Sequence, residues 1–197
     1  MSEPFEQALQ RAERIHDRAA IERVIAAMAA RIVADETTHT RSSQPDVAVE
    51  TDADARLLML TVMHGGLPFA GALALELGAR GLDVAFDYLH ASRYRGSTSG
   101  GELHWKHRPA TPLQGRRVLL VDDIVDEGHT LAQVRDWCRE QGAADVRIAA
   151  LAVKQHDRCV EGLCADYAGL EVPDRYVFGY GMDWQEHGRN LPAIYAI

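Results

Sequence analysis

Cysteine is scarce in this 197-residue chain: Cys138, Cys159 and Cys164 are all it has. An odd number without a complete set of metal-finger ligands excludes a disulfide scaffold and a zinc framework, and fits reduced thiols in a cytoplasmic protein. Long apolar runs are lacking too. No stretch approaches the ~18 residues of a membrane span, and the start Met1-Ser-Glu-Pro-Phe has neither the basic nor the apolar region of a secretory leader. A cytoplasmic chain with no membrane partner is expected.

Basic charge is also in deficit, with 21 Lys and Arg against 29 Asp and Glu and a formal net charge of −8. That balance speaks against a nucleic-acid partner. It also means that an anionic small ligand needs local help from metal ions or backbone N–H groups. Two phosphate-binding fingerprints are absent: no strand leads into G-x-G-x-x-G, and there is no Walker lysine loop. What remains is an ordinary globular composition, 47% hydrophobic and 25% charged. Its length suits one domain over residues 1–197.

Residues from about Glu6 to Ala34 place Ile21, Val24, Ile25, Met28 and Ile32 at three- and four-residue intervals, the face of an amphipathic helix. A break at His16-Asp17-Arg18 separates a short first helix from this longer one, making 1–34 a helical segment. Asp35 to Arg56 is polar and patternless, and reads as a surface excursion. Leu57 to Val62 then predicts a strand, Gly65-Gly66 a turn, and Pro68 to Leu77 a helix. Val84 to Leu89 predicts a second strand, and Ser92 to Pro112 a loop or hairpin. Arg117 to Val121, Thr130 to Glu140 and Val146 to Val153 follow as strand, helix and strand.

Such alternation implies an α/β fold, an open, mostly parallel sheet with helices on both faces. Ligands of these sheets gather outside the carboxyl ends of the strands. Four segments therefore share one edge: Met63 to Gly66, Asp87 to Tyr94, Asp122 to Thr130, and Lys154 to His156.

The densest chemistry lies in Val118-Leu-Leu-Val-Asp122-Asp123-Ile-Val-Asp126-Glu127-Gly128-His129-Thr130. An apolar strand runs into two adjacent carboxylates, with a third three residues on. Gly128 and the helix beginning near Thr130 offer free N–H groups and a positive dipole end, suited to a phosphate monoester. Carboxylates beside a phosphate cradle suit a sugar, whose vicinal hydroxyls Asp122 and Asp123 can hold, with magnesium offsetting the negative charge.

At these residues the chain resembles the type I phosphoribosyltransferases, in particular their hypoxanthine-guanine branch, from roughly Met59 to the C-terminus. The resemblance implies a magnesium-dependent transfer from phosphoribosyl pyrophosphate to hypoxanthine or guanine, giving IMP or GMP and pyrophosphate. It implies that Asp122 and Asp123 hold the ribose hydroxyls. Asp126, Glu127, Gly128, His129 and Thr130 would wrap the 5′-phosphate, and Asp126 would take the purine proton. Met63-His64-Gly65 resembles the pyrophosphate loop with its often cis peptide, and Arg189 the arginine that meets pyrophosphate. Lys154, Tyr176, Val177 and Asp183 match the purine site: Lys154 donates to O6, Tyr176 stacks on the ring, and Val177 offers main-chain contacts. Asp183, with Asp122 and Asp123, attends magnesium. Residues 165–197 would form the C-terminal base-binding part of a small hood built with the N-terminal segment. A homodimer or homotetramer is implied as well.

The chain departs from the family pattern at His64, where lysine is usual, and at Glu127 and His129, where Thr and Lys are more common. Two other readings compete: a xanthine-preferring or broader 6-oxopurine transferase, and a phosphoribosyl-pyrophosphate-sensing nucleic-acid binder using Arg93, Arg95, Lys106, His107 and Arg108 around Tyr94 and Trp105. Ser92-Arg93-Tyr94 resembles the family's mobile loop, which keeps water from the reaction. Deleting residues 96 to 100 is therefore expected to lower turnover far more than thermal stability; unchanged turnover in a pyrophosphate-release assay would count against a lid.

Overall fold

The structure, a computed structural model, describes residues 3–42, 55–93 and 103–197, with side chains set aside at 40–42 and 93. Tyr94, Arg95 and residues 96 to 100 lie outside the described residues. The N-terminal segment holds α1 (Phe5–Arg11), β1 (Glu13–His16) and α2 (Arg18–Ser42). Asp17 starts α2 as the sequence predicts, its Oδ1 accepting the Ala20 N–H at 2.8 Å. The stripe of Ile21, Ile25, Met28 and Ile32 is at most 2% exposed.

Two expectations for this segment are corrected. Glu13 to His16 is a strand, because its backbone pairs antiparallel with residues 194–196, a partner about 180 positions away that no local pattern reveals. The helix also continues to Ser42 where a surface excursion is predicted from Asp35. The buried stripe runs on through Glu36, which follows Ile32 by four and is 6% exposed. Its carboxylate pairs with Arg117 at 2.5 Å. Asp35 accepts hydrogen bonds from Tyr167 Oη at 2.8 Å and Arg147 Nη1 at 3.4 Å. A polar continuation of an apolar face looks like a loop unless its ionic partners are known.

The remaining elements are β2 (Leu57–Val62), α3 (Gly66–Ala79), β3 (Val84–Arg93), β4 (Leu103–His107), β5 (Arg117–Val125), α4 (His129–Glu140), β6 (Asp145–Lys154), β7 (Tyr167–Val172), β8 (Val177–Phe178) and β9 (Ile194–Ala196). Six of them form a sheet in the order β4-β3-β2-β5-β6-β7, parallel except for β4, which returns antiparallel on β3. Of the two alternatives expected after β3, a loop or a hairpin, the described residues show the paired strands of a hairpin. The segment after residue 165, expected to serve only the hood, first adds β7 to the main sheet. Strands β1, β9 and β8 make a separate three-stranded sheet from the two ends of the chain, the hood the resemblance implies.

Alternate residues of the central strands serve two cores. Leu57, Met59, Leu119 and Val121 pack with α2 and α3, whereas Leu58, Leu60, Val118 and Leu120 pack with α4. Both faces are therefore covered, which is why these strands read as continuous apolar runs. From β2 the chain crosses through α3 outward to β3, and from β5 it crosses through α4 the other way to β6. The carboxyl ends of β2 and β5, neighbours at the sheet centre, flank the point where the winding reverses, and a crevice opens there.

Glu36 and Arg117 sit at the opposite, amino edge of the sheet. Removing the Glu36 carboxylate as Glu36→Ala takes the ionic partner from a part-buried guanidinium that keeps, among the described residues, only the Ala55 carbonyl, 2.8 Å from Arg117 Nη2, at an expected cost of about 2–3 kcal/mol. Urea unfolding should register that loss while catalytic constants stay unchanged; a catalytic defect of equal size would contradict the separation of the two edges.

Candidate active site

A cleft of about 750 Å³ opens at the carboxyl edge. The ends of β2, β3, β5 and β6 frame it, and the loop from Tyr176 to Arg189 roofs it. Strand β3 reaches it through His90, Ala91 and Ser92. Asp87, expected at this edge, turns instead to the Thr111 and Tyr88 N–H groups, both at 2.7 Å.

Asp122 and Asp123 lie inside β5, which runs on to Val125 rather than ending at the acids. Asp123 is 8% exposed, and its N–H donates to Asp122 Oδ1 at 3.0 Å. Burial pushes the Asp122 carboxyl well above the usual range, and the neighbouring Asp123 charge adds to the rise. Burial also raises Asp123, although contacts from Asp122 and the field of Arg189 counteract it. The loop after β2 presses on this pair: a Cβ at Gly65 would sit 2.2 Å from Asp123 Oδ2, so only glycine fits there. The Met63–His64 peptide of that loop is cis, as the resemblance implies. The His64 ring meets His90 edge-on, with centroids 4.5 Å apart.

The turn after β5 depends on Gly128, whose φ of 77° is left-handed and whose added Cβ would strike Leu163 Cδ2 at 2.0 Å. Gly128 caps α4, which starts at His129, one residue before the predicted Thr130. The free N–H groups of this first turn face the cleft together with the side chains of Glu127 and His129. Glu127 and His129, both departures from the family pattern, are 3.6 Å apart and about half exposed.

Asp126 is held by two donors, Lys154 Nζ on Oδ2 and His156 Nε2 on Oδ1, both at 2.6 Å. Partial burial works to raise its carboxyl, but these two hydrogen bonds outweigh that and hold it below the usual range. Under the roof, Tyr176 is half exposed to the cleft, meets Trp184 edge-on, and donates its hydroxyl to the Asp183 carbonyl at 3.1 Å. Val177 is buried at the cleft wall. Arg189 pairs with Asp183 at 2.6 Å and donates to the Gly181 carbonyl at 2.8 Å.

Asp122, Asp123, Asp126 to Thr130, His64, Gly65, Ser92, Lys154, Tyr176, Val177, Asp183 and Arg189 all line this one cleft. The side chain of Arg93 and the whole of Tyr94 lie outside what the structure describes. Among the described residues no three His, Cys, Asp or Glu side chains are gathered as a metal site, so Asp183 does not join Asp122 and Asp123 in a preformed cluster. The oxygen donors present fit a hard divalent cation whose remaining ligands come from substrate and water. Trp105 of the conjectured nucleic-acid patch packs on Trp137, with centroids 4.7 Å apart. Cys138, Cys159 and Cys164 are free thiols, and burial pushes that of Cys138 up to about 12.

Sequence reasoning missed His90, Lys106 and Glu186 in the cleft, and His156 behind Asp126. His90 lies one residue beyond the strand predicted over Val84 to Leu89, in phase with the exposed Phe86 and Tyr88, within the segment expected at this edge. Lys106 and Glu186 carry no local signal, because hairpin register and roof folding bring them in. His156 was placed at the right edge without a partner.

The phosphoribosyl transferase domain family matches residues 11–187 of this chain. A hypoxanthine-guanine phosphoribosyltransferase of Streptococcus pneumoniae is 37% identical over 138 residues, covering 70% of this chain and 74% of that protein. Its Streptococcus pyogenes counterpart is 34% identical over the same shares. Among solved structures, the hypoxanthine phosphoribosyltransferase of Trypanosoma cruzi in complex with the product IMP superposes with a TM-score of 0.81 at 25% identity, covering 94% of this chain and 93% of that one.

The buried acid pair carries a stability consequence. Raised carboxyl values mean the folded chain keeps protons that the unfolded chain sheds above pH ~4, so the pair costs stability increasingly as pH rises from there. Asp122→Asn is expected to raise the melting midpoint at pH 7 more than at pH 4, by about 2–4 °C for each kcal/mol of repulsion relieved. Calorimetry across that range checks it; a gain that does not grow with pH would mean the pair is not strained.

Proposed function

The chain belongs to the phosphoribosyl transferase family, and on that premise we propose that it is a purine-salvage enzyme. It joins hypoxanthine or guanine to phosphoribosyl pyrophosphate, releasing pyrophosphate and giving IMP or GMP. The observation that carries this reading is the 2.6 Å pairing of Lys154 with Asp126, in the same cleft as the Gly128 turn and the Asp122–Asp123 pair.

The 5′-phosphate docks on the main-chain N–H groups of the turn from Asp126 to Thr130, at the positive end of α4. Asp122 and Asp123 accept hydrogen bonds from the ribose hydroxyls, which restores polar partners to two buried acids. The pyrophosphate lies between the His64–Gly65 loop and Arg189. Asp122, Asp123 and Asp183 would attend Mg2+ there, and the ion supplies positive charge for the departing pyrophosphate. Ser92-Arg93-Tyr94 would close over this end of the cleft.

The purine stacks on Tyr176, with Val177 main-chain groups along its edge. Its O6 draws Lys154 away from Asp126 Oδ2. As the ring nitrogen attacks the anomeric carbon and the bond to pyrophosphate breaks, Asp126 accepts the proton that the imidazole part of the purine sheds. Positioned proton transfer of this kind contributes ~10²- to 10⁴-fold. A lysine facing position 6 accepts a carbonyl and leaves the amino group of adenine without a complementary partner, and rejection on that basis reaches ~10⁴-fold. The free thiols support a reducing, cytoplasmic setting. Exposed Leu67, Leu75 and Phe86 support association of copies into a homodimer or homotetramer.

Pyrophosphate release measured with hypoxanthine, guanine, xanthine and adenine, with and without Mg2+, tests the reading. Turnover is expected with the first two only, and only with the metal. Comparable turnover with adenine would refute the role of Lys154, and preference for xanthine would move the assignment to a broader 6-oxopurine transferase.

A further inference from the structure

His156 has no part in the reaction as described so far, yet it is joined to the group that moves the proton. Its side chain is 3% exposed, and its Nε2 lies 2.6 Å from Asp126 Oδ1. On the other side of the ring, Nδ1 accepts the main-chain N–H of Arg158 at 3.1 Å. A ring nitrogen that accepts an amide N–H carries no proton, so the proton resides on Nε2 and is donated to the carboxylate. The imidazole is thereby anchored to the main chain at one end and to Asp126 at the other.

We propose that His156 is a positioning residue for the transfer: it keeps Asp126 Oδ1 occupied, so that Oδ2 is the oxygen that releases Lys154 and receives the purine proton. The proposal rests on the reading of Asp126 as proton acceptor. It follows from the difference between the two donors. Lys154 is a long, flexible chain lining the cleft, where the carbonyl of a bound purine offers it a new partner. His156 does not line the cleft, and an incoming base offers it nothing. The histidine bond therefore persists when the lysine bond is exchanged.

A carboxylate held by neither donor would turn about its side-chain bonds and present either oxygen, or none, to the base. A fixed donor behind it removes that freedom, and misplacement of a reacting group by about 1 Å costs ~10²-fold. The same bond favours the ionised acid after Lys154 has left, so Asp126 returns its proton to solvent between turnovers. The charged groups around the pair are Lys154, Glu127, Arg158 and Asp174. Arg158 pairs with Asp174 at 2.7 Å and lies 4.0 Å from Glu127, so these largely compensate one another.

Two substitutions separate positioning from packing. His156→Leu removes the donor, and His156→Gln keeps an amide N–H at similar reach. The Leu variant is expected to lose about 10- to 100-fold in kcat with the KM for phosphoribosyl pyrophosphate changed less than about twofold. Gln should restore most of the loss. In ligand-free protein, carbon-13 titration of the Asp126 carboxyl should move to higher pH in the Leu variant. Wild-type turnover by the Leu variant, or an unmoved Asp126 titration, would overturn the proposal. Nitrogen-15 shifts of the wild-type ring should report the Nε2–H form both free and with IMP bound. A change of tautomer on binding overturns it even where the Leu variant does not fold. If the wild-type protein releases no pyrophosphate with any base, the functional reading fails, while the ligand-free titration and tautomer still decide whether His156 holds Asp126.

Discussion

Two adjacent carboxylates sit in a central strand of the sheet, Asp123 buried and Asp122 partly so, and much of the site is arranged around that unfavourable fact. Burial pushes both carboxyls above the usual range, and the charge of Asp123 adds to the rise at Asp122. Gly65 lets the neighbouring loop lie directly against Asp123, and Arg189 reaches in from the roof to offset the charge.

The second acid system works in the opposite sense. Asp126 is held ionised by two donors, one in the cleft and one behind it, and its acidity is lowered rather than raised. Five residues along the chain, one strand end and one turn therefore provide two kinds of carboxylate. The first kind is raised by burial. The second has both of its donors already in place. Burial inside β5 decides the first case, and the geometry of the end of β6 decides the second.

The family pattern is met in architecture and altered in detail. Relatives from Streptococcus match over 70% of the chain at 34–37% identity. At His64 and His129 imidazoles stand where lysines are usual. Each stands beside another titratable group, His90 in one case and Glu127 in the other.

Periodicity and punctuation alone determined the central β2, β3, β5 and β6, the helices α3 and α4, and the edge on which the site lies. These elements pack by local rules: apolar runs covered on both faces, glycine at turns, an aspartate at a helix start. Resemblance to a family, carried by the acids after β5 and the run from Tyr176 to Asp183, pointed to the reaction. Only the tertiary structure decided that Glu13–His16 is a strand, that α2 continues through Glu36, and that β7 belongs to the main sheet. The backbone of the first, the buried charge of the second and the edge pairing of the third are satisfied by residues far away in sequence. His156 is of the same kind, since a histidine shows nothing of its partner until the end of β6 and the turn after β5 are brought together.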